Sequence, residues 1–260
     1  MPFFENNGIR YYTFDIFPRS VLHGVVTRQG GISPAPWESL NVGGTVGDER
    51  MRVRENRTRS FAAFGRELAS IFDVWQVHST DVVYADAPID PNTDLTQADI
   101  IFTNRPEVTL YMRFADCVPL LFHDPHKGVV GLAHAGWLGS VRGAGRAAVE
   151  AMRSHYGSKP ENILAAIGPS IGPDHYEIGP DVSVKVQDAF GAQAERLLER
   201  RDGRVYFDLW TANYIQLQDS GVEHIEVAGL CTACHLEDWF SHRAEKGKTG
   251  RFGALMALKV

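Results

Sequence analysis

The sequence predicts an α+β fold with substantial antiparallel sheet, in one domain spanning residues 1–260. Three observations lead there. Strand-like runs outnumber helical ones and often follow one another directly, without the alternation of a doubly wound sheet. The 260 residues, 44% hydrophobic and 22% charged, are ample for a self-sufficient core. The Pro- and Gly-rich places, at 30–31, 33–36, 87–93 and 168–173, are local turns too short to serve as an interdomain linker. No internal repeat and no low-complexity segment interrupts the pattern.

In chain order, apolar β-branched and aromatic runs predict strands at 9–17 and 21–27, then a helix at 49–64. Strands follow at 74–84, 100–103, 108–114, 118–123 and 128–133. In 108–114, Val108, Leu110, Met112 and Phe114 alternate with more polar neighbours, as a half-buried strand requires. A helix is predicted at 141–155, with Ser140 as N-cap, one apolar face of Val141, Ala144, Ala148 and Met152, and Gly157 as its stop. A strand at 163–167, a helix at 181–200, a helix at 209–220 capped by Asp208 and ended by Gly221, and strands at 222–228 and 252–259 complete the chain.

Charge and cysteine content narrow the function. With 26 Lys+Arg against 32 Asp+Glu the net charge is −6, which argues against nucleic-acid or anionic-membrane binding, since both need a basic face. Cys117, Cys231 and Cys234 are too few, and odd in number, for a secreted disulfide framework. The opening MPFFENNGIR has no basic segment followed by an apolar run, so no signal peptide is expected. The apolar stretch 129–141 is too short to span a bilayer. The expectation is a soluble cytoplasmic protein with reduced thiols.

The densest chemical signal lies in ADCVPLLFHDPHKGVVGLAHAGWLG, residues 115–139. Asp124 to Gly128 reads as a turn between two apolar runs, hence a β-hairpin. A turn centred near His126 puts Cys117 opposite Ala135, beside His134, so a thiol and an imidazole share one end of the hairpin. His78, in Trp75-Gln76-Val77-His78-Ser79, is a third candidate on another strand. Two imidazoles and one thiolate leave an open position on a tetrahedral zinc, as a catalytic zinc requires. The same Cys117 and His134 also suit a metal-free nucleophile and base. Asp116 beside the thiol raises its pKa and so favours metal. Spacing alone does not establish either site, and ordinary roles as sheet histidines and a small buried cysteine outweigh both on that basis.

Cys231-Thr232-Ala233-Cys234-His235 matches the c-type haem string, but haem attachment belongs with export. A structural zinc needs a second ligand pair. His242 is nearby, no second C-x-x-C exists, and a packed turn is the expectation. Arg28, beside Gly30-Gly31, Arg243 and Arg251 are candidate anion-binding cations, and Asn41 a candidate hydrogen-bonding amide; each Arg is equally an ordinary surface charge. No dinucleotide-binding or P-loop fingerprint is present.

Taken together, HGVVTRQGGISPAPWESLN (23–41), WQVHS (75–79), ADCVPLLFHDP (115–125), GLAHAGW (131–137), IGPSIGPDHYEIG (167–179) and CTACH…FSHR…TGR (231–251) resemble the YfiH family, also called the laccase-domain or polyphenol-oxidase-like family. The resemblance covers nearly the whole chain, in order. It implies a layered αββα sandwich with largely antiparallel or mixed sheets. It implies zinc held by His78, Cys117 and His134, with Cu2+ able to occupy the site in vitro. It implies phosphorolysis of adenosine, inosine or methylthioadenosine and hydrolytic deamination of adenosine, with purine nucleoside and phosphate as small-molecule partners. Arg28, Asn41, Arg243 and Arg251 are then the substrate-binding candidates. Alternatives are a Cys–His hydrolase and a non-catalytic peptidoglycan editing factor. The family's HAGWRG reads HAGWLG, with Leu138, and its SHRR reads SHRA, with Ala244. Either change weakens phosphate binding if those arginines hold phosphate, unless Arg142 substitutes one helical turn later. Phenol oxidation is not expected as the native role, because a multicopper cluster needs several His-x-His pairs and the chain has none.

Overall fold

The computed structural model describes residues 3–90 and 93–259. Its first sheet runs in the order β1 (Phe3–Asn6), β2 (Ile9–Tyr12), β3 (Val21–Val26), β15 (Phe252–Leu258), β7 (Thr109–Phe114), β4 (Ile71–Phe72). The second runs β14 (His224–Val227), β10 (Leu164–Ile167), β8 (Val118–Asp124), β9 (Val129–Ala135), β6 (Ile100–Thr103), β5 (Val82–Tyr84). Both are mixed: β4·β7, β5·β6 and β10·β14 pair parallel, the other neighbours antiparallel. A small third sheet joins β11 (Glu177–Ile178), β13 (Arg204–Phe207) and β12 (Leu198–Arg201).

The two-residue period of the strands sorts side chains into three apolar layers. Leu110 and Met112 of β7, Ala254 and Met256 of β15, and Leu121, Val130 and Leu132 of the second sheet fill the space between the sheets. Tyr111 and Leu255 face the other way, onto Phe61 of α1 (Arg50–Ala63). On the far side, Leu120, Phe122 and Ala133 meet Ala148 and Met152 of α3 (Ala144–Tyr156) and Ala212 and Ile215 of α5 (Leu209–Asp219). The order is helix, sheet, sheet, helices, the αββα layering that the resemblance implied.

Several expected boundaries shift for local reasons. The helix predicted at 141–155 is two helices, α2 (Trp137–Arg142) and α3, because Gly143 turns left-handed at φ 86°. Ser140 is therefore inside α2, where its hydroxyl accepts from Asn213 Nδ2 at 2.9 Å, rather than capping. The helix predicted at 181–200 ends early as α4 (Pro180–Phe190) at Gly191, and 198–201 is strand. Only 82–84 of the strand predicted at 74–84 is strand proper. The cap at Asp208 is as expected, its Oδ1 accepting from Thr211 N at 3.0 Å.

The β8–β9 hairpin is one residue out from the expected register. Val118 pairs with Ala135 and Asp124 with Val129, leaving a four-residue loop. Asp124 Oδ1 accepts from His126 N and Lys127 N, at 2.8 and 3.1 Å, and Gly128 closes the loop at φ 61°. Cys117 consequently lies one step beyond Ala135, toward Gly136.

Candidate active site

The chain crosses from the first sheet to the second twice at one end of the sandwich, in the β4–β5 and β7–β8 connections. The first crossing carries His78, the second Asp116 and Cys117. His134, near the end of β9, has the parity of Val130 and Leu132 and so points between the sheets, its ring 5.5 Å from that of Phe114. The three sequence candidates thus meet where the interlayer space opens. One ligand atom each from His78, Cys117 and His134 lie within 4.8 Å of one another. Cys117 Sγ is 3.9 Å from His78 Nε2, and the two imidazole centroids are 4.8 Å apart.

A residue the sequence reading missed organises this meeting. Asp99, fully buried just before β6, accepts from His134 Nδ1 at 2.8 Å and from the backbone N–H of Val77 and Ser79 at 3.0 and 2.7 Å. One carboxylate therefore fixes the ring of His134 and the residues on either side of His78. It leaves His134 Nε2 free for a metal, the usual arrangement of a carboxylate behind a ligating imidazole. It also explains the irregular backbone at 75–81, since these N–H groups serve Asp99 rather than a sheet ladder. Arg142 Nη1 closes the loop from outside by donating to His78 O at 3.0 Å. Arg142 is thereby a brace and does not line the cleft.

Two backbone strains and one missing Cβ complete the geometry. His78 and Asp116 take φ of 59° and 80°, two of five non-glycine residues with positive φ among those described. A Cβ on Gly136 would sit 2.7 Å from Cys117 Sγ and 3.2 Å from His78 Cδ2, so only glycine leaves the ligands room.

Burial pushes the Cys117 thiol up, but the His134 and His78 imidazoles outweigh it and bring the thiol down to about 6. Burial lowers His134, and the Cys117 thiolate and Asp99 carboxylate reverse that, raising it to about 9. Burial likewise pushes Asp99 up, and its bond to His134 overcomes this and holds it below the usual carboxylate range. The net shift of the thiol is downward, opposite to the rise expected from Asp116 alone. That carboxylate is occupied by Thr232 Oγ1 and Arg243 N, both at 2.6 Å.

The three residues open on a cleft of about 590 Å3, of the size of a small-molecule site. Arg243 and Arg251 line it, as do Arg57 and Arg113, which the sequence reading did not select. Arg57 and Arg113 share one carboxylate, Asp73, at 3.5 and 2.5 Å. Arg243 stacks on Tyr176 with its guanidinium carbon 5.0 Å from the ring centroid and donates to Glu177 O; Arg251 donates to Gly250 O and Thr249 O. Neither forms a salt bridge among the described residues, and Arg251 feels the charges of Cys117 and Asp116 across the cleft. Trp75, 47% exposed, along with Trp137 and Tyr176, offers ring faces.

Two expected substrate residues stand elsewhere. Arg28 is outside the cleft, bonded to Glu245 Oε1, Leu236 O and Glu38 O and stacked on Phe240. It ties 28–38 to 236–245 and has no free donor face toward a substrate. Asn41 is fully buried and outside the cleft lining, yet its Oδ1 accepts from Gly43 N and Arg251 N, both at 2.9 Å. It shapes the rim instead. Leu138 and Ala244, the departures from the family pattern, do not line the cleft either.

A family model described as multi-copper polyphenol oxidoreductase laccase matches residues 22–259. Purine nucleoside phosphorylase of Deinococcus radiodurans is 40% identical over 239 residues, covering 92% of this chain and 90% of that protein. Purine nucleoside phosphorylase YlmD of Bacillus subtilis is 37% identical over 250 residues, with 93% and 90% covered. Among solved structures, YlmD from Geobacillus stearothermophilus superposes with a TM-score of 0.93 at 32% identity, over 100% of this chain and 99% of the other. The Bacillus licheniformis hypothetical protein YfiH gives 0.92 at 32% identity, with 99% of both chains covered.

Proposed function

Because the chain belongs to the multi-copper polyphenol oxidoreductase laccase family, together with the YfiH and YlmD proteins, we propose that it is a zinc-dependent purine nucleoside phosphorylase that also deaminates adenosine. The observation that carries the reading is the convergence of His78, Cys117 and His134, held by Asp99, on a cleft that joins unpaired arginines to aromatic faces.

The donor set fits zinc. A thiolate and two imidazoles are soft to borderline ligands, and the three together would hold zinc where they open on the cleft. Copper binds such donors more tightly than zinc and so occupies the site when supplied, but one His2Cys group is not a multicopper cluster. Zinc held there supplies Lewis acidity and an activated water near neutral pH, the chemistry hydrolytic deamination of a purine ring needs.

The protein's own residues have separate tasks. Arg243 and Arg251 hold phosphate beside the ribose, where it forms the new bond to the anomeric carbon as the glycosidic bond breaks and the base departs. Trp75 presents a ring face to the purine. Its backbone is fixed for this by Trp75 N to Thr96 O at 2.9 Å and Ala98 N to Trp75 O at 3.2 Å. Asp99 keeps His134 oriented with its Nε2 toward the cleft.

The test is product analysis by chromatography. Adenosine with phosphate should give adenine and ribose 1-phosphate, and adenosine alone should give inosine. Absence of turnover by zinc-loaded protein on any purine nucleoside would sink the reading.

One observation favours a second reading, a metal-free Cys–His hydrolase. Cys117, His134 and Asp99 form a thiolate, imidazolium and carboxylate series, with the thiol brought down to about 6. In that case alkylation of Cys117 abolishes activity and chelators leave it intact. Loss on chelation with recovery on adding zinc rejects it.

A further inference from the structure

The Cys231-Thr232-Ala233-Cys234 segment does form a turn, but it does not stand alone. Ser170 and Cys231 make a parallel bridge, Thr232 N donates to Ser170 O at 3.0 Å, and Ser170 N donates to Leu230 O at 3.2 Å. These bonds lay the 170–175 segment against 230–234 and supply the ligand pair that the sequence lacked locally. Asp174, His175, Cys231 and Cys234 each bring one donor atom to a group in which all lie within 4.8 Å of one another.

We infer that Asp174, His175, Cys231 and Cys234 form a second metal site, of the closed four-ligand type that holds Zn2+ structurally. The distances support it. A tetrahedral zinc with its usual bond lengths sets neighbouring S, N and O donors about 3.3–3.8 Å apart. Cys234 Sγ is 3.5 Å and Cys231 Sγ 3.7 Å from His175 Nδ1, and Cys234 Sγ is 3.4 Å from Asp174 Oδ2. His175 Nδ1 and Asp174 Oδ2 are 3.0 Å apart, and a metal between them has only to part them by a few tenths of an ångström. All three cysteines are free thiols.

The surroundings are those of a ligand sphere. Gly172 N donates to Cys231 Sγ at 3.2 Å, the backbone support that thiolate ligands receive. A Cβ on Gly172 would meet Asp174 Oδ1 at 2.6 Å and Cys231 Sγ at 3.2 Å, so glycine is needed for both donors to approach. Asp174, His175 and Cys234 are exposed, which gives a metal an entry path.

The consequence reaches the cleft. The two joined segments also grip the turn that carries Cys117, through Ile171 N to Asp116 O at 3.0 Å and Thr232 Oγ1 to Asp116 Oδ1. Tyr176, which lines the cleft, follows His175 directly. A metal here staples the wall of the active site.

Zn2+ and Co2+ are the probes. Cys117→Ala removes the first donor group, so metal that remains reports the second. The Cys117→Ala protein should retain about one zinc per chain, and Cys117→Ala/Cys234→Ser close to none. With Co2+, the first variant should show thiolate-to-cobalt charge transfer that the second lacks. In case Cys117→Ala folds poorly, Cys234→Ser and His175→Gln in the otherwise unchanged chain should each lower bound zinc by one equivalent. Zinc content unaffected by these single changes overturns the proposal. So does a Cys231–Cys234 disulfide in protein prepared without oxygen.

Discussion

Asp99 is the residue on which the site depends most. Asn at this position can accept through one oxygen only, so at least one of the three bonds to His134, Val77 and Ser79 is lost. Asp99→Asn should weaken zinc binding about 10- to 100-fold with the fold retained, as competition with a chromogenic chelator will show. Unchanged affinity would mean that Asp99 only supports the loop. His78, Cys117 and His134 were legible as a trio through the family resemblance, their spacing alone favouring ordinary sheet roles, and the structure brings them together. Asp99 was not legible, being one carboxylate among many, and its only local signal is an acid at the mouth of a wholly apolar run. Arg28 misled for the converse reason. A cation beside Gly30-Gly31 looks free until its partner Glu245 is known. Arg243 and Arg251, by contrast, do reach the cleft. Replacing either by Ala should raise the KM for phosphate about tenfold or more, with a smaller effect on the nucleoside KM, since a charge-assisted contact contributes about 1.5–3 kcal/mol. Equal effects on both substrates would contradict the assignment.

At the scale of elements, strand content was readable from apolar alternation, while register and helix breaks were not. The hairpin slip at Cys117 comes from the Asp124 side chain stabilising a four-residue loop, which apolar pattern does not encode. The break at Gly143 and the early end of α4 at Gly191 rest on left-handed glycines inside otherwise helical runs. The strands of the small sheet, such as Leu198–Arg201, carry little apolar alternation and gain their pairing from the fold. Two glycines on this part of the molecule separate function from folding. Gly136→Ala places a methyl 2.7 Å from Cys117 Sγ, a side chain able to move, so metal affinity should fall at least tenfold with a small change in melting temperature. Gly131→Ala in the middle of β9 places a methyl 2.2 Å from the Phe102 ring. That overpacking should cost about 1–3 kcal/mol of stability, read by urea denaturation, before any effect on the site.

For the whole molecule, the αββα order followed from the resemblance rather than from the residues alone. The sequence pattern by itself reached only α+β with much antiparallel sheet, because which sheet a strand joins is decided by long-range pairing, such as that of Val21 with Leu258. The two-sheet core also carries a half-buried titratable group away from the site. Burial lowers His23 on β3 from 6.5 to about 4, outweighing the backbone contacts of its ring, whose Nε2 lies 3.0 Å from Phe14 N and 3.1 Å from Phe14 O. The unfolded chain takes up this proton near pH 6.5, the folded one only near pH 4. The folded state is therefore fully favoured above pH 6.5 and loses up to about 3 kcal/mol as pH falls toward 4. Urea midpoints between pH 7 and 4.5 should show the decline, and His23→Gln should flatten part of it; an identical slope in the variant would assign the decline to other groups. At the other end of the sandwich, zinc at His78, Cys117 and His134 is proposed to support phosphorolysis. The most direct test of this measures zinc content and adenine release from adenosine plus phosphate on the same samples of the unaltered chain and Cys117→Ala. Cys117→Ala should lose one equivalent of zinc and nearly all adenine formation. A Cys117→Ala protein that keeps full phosphorolysis, or keeps its full zinc content while losing activity, would contradict it.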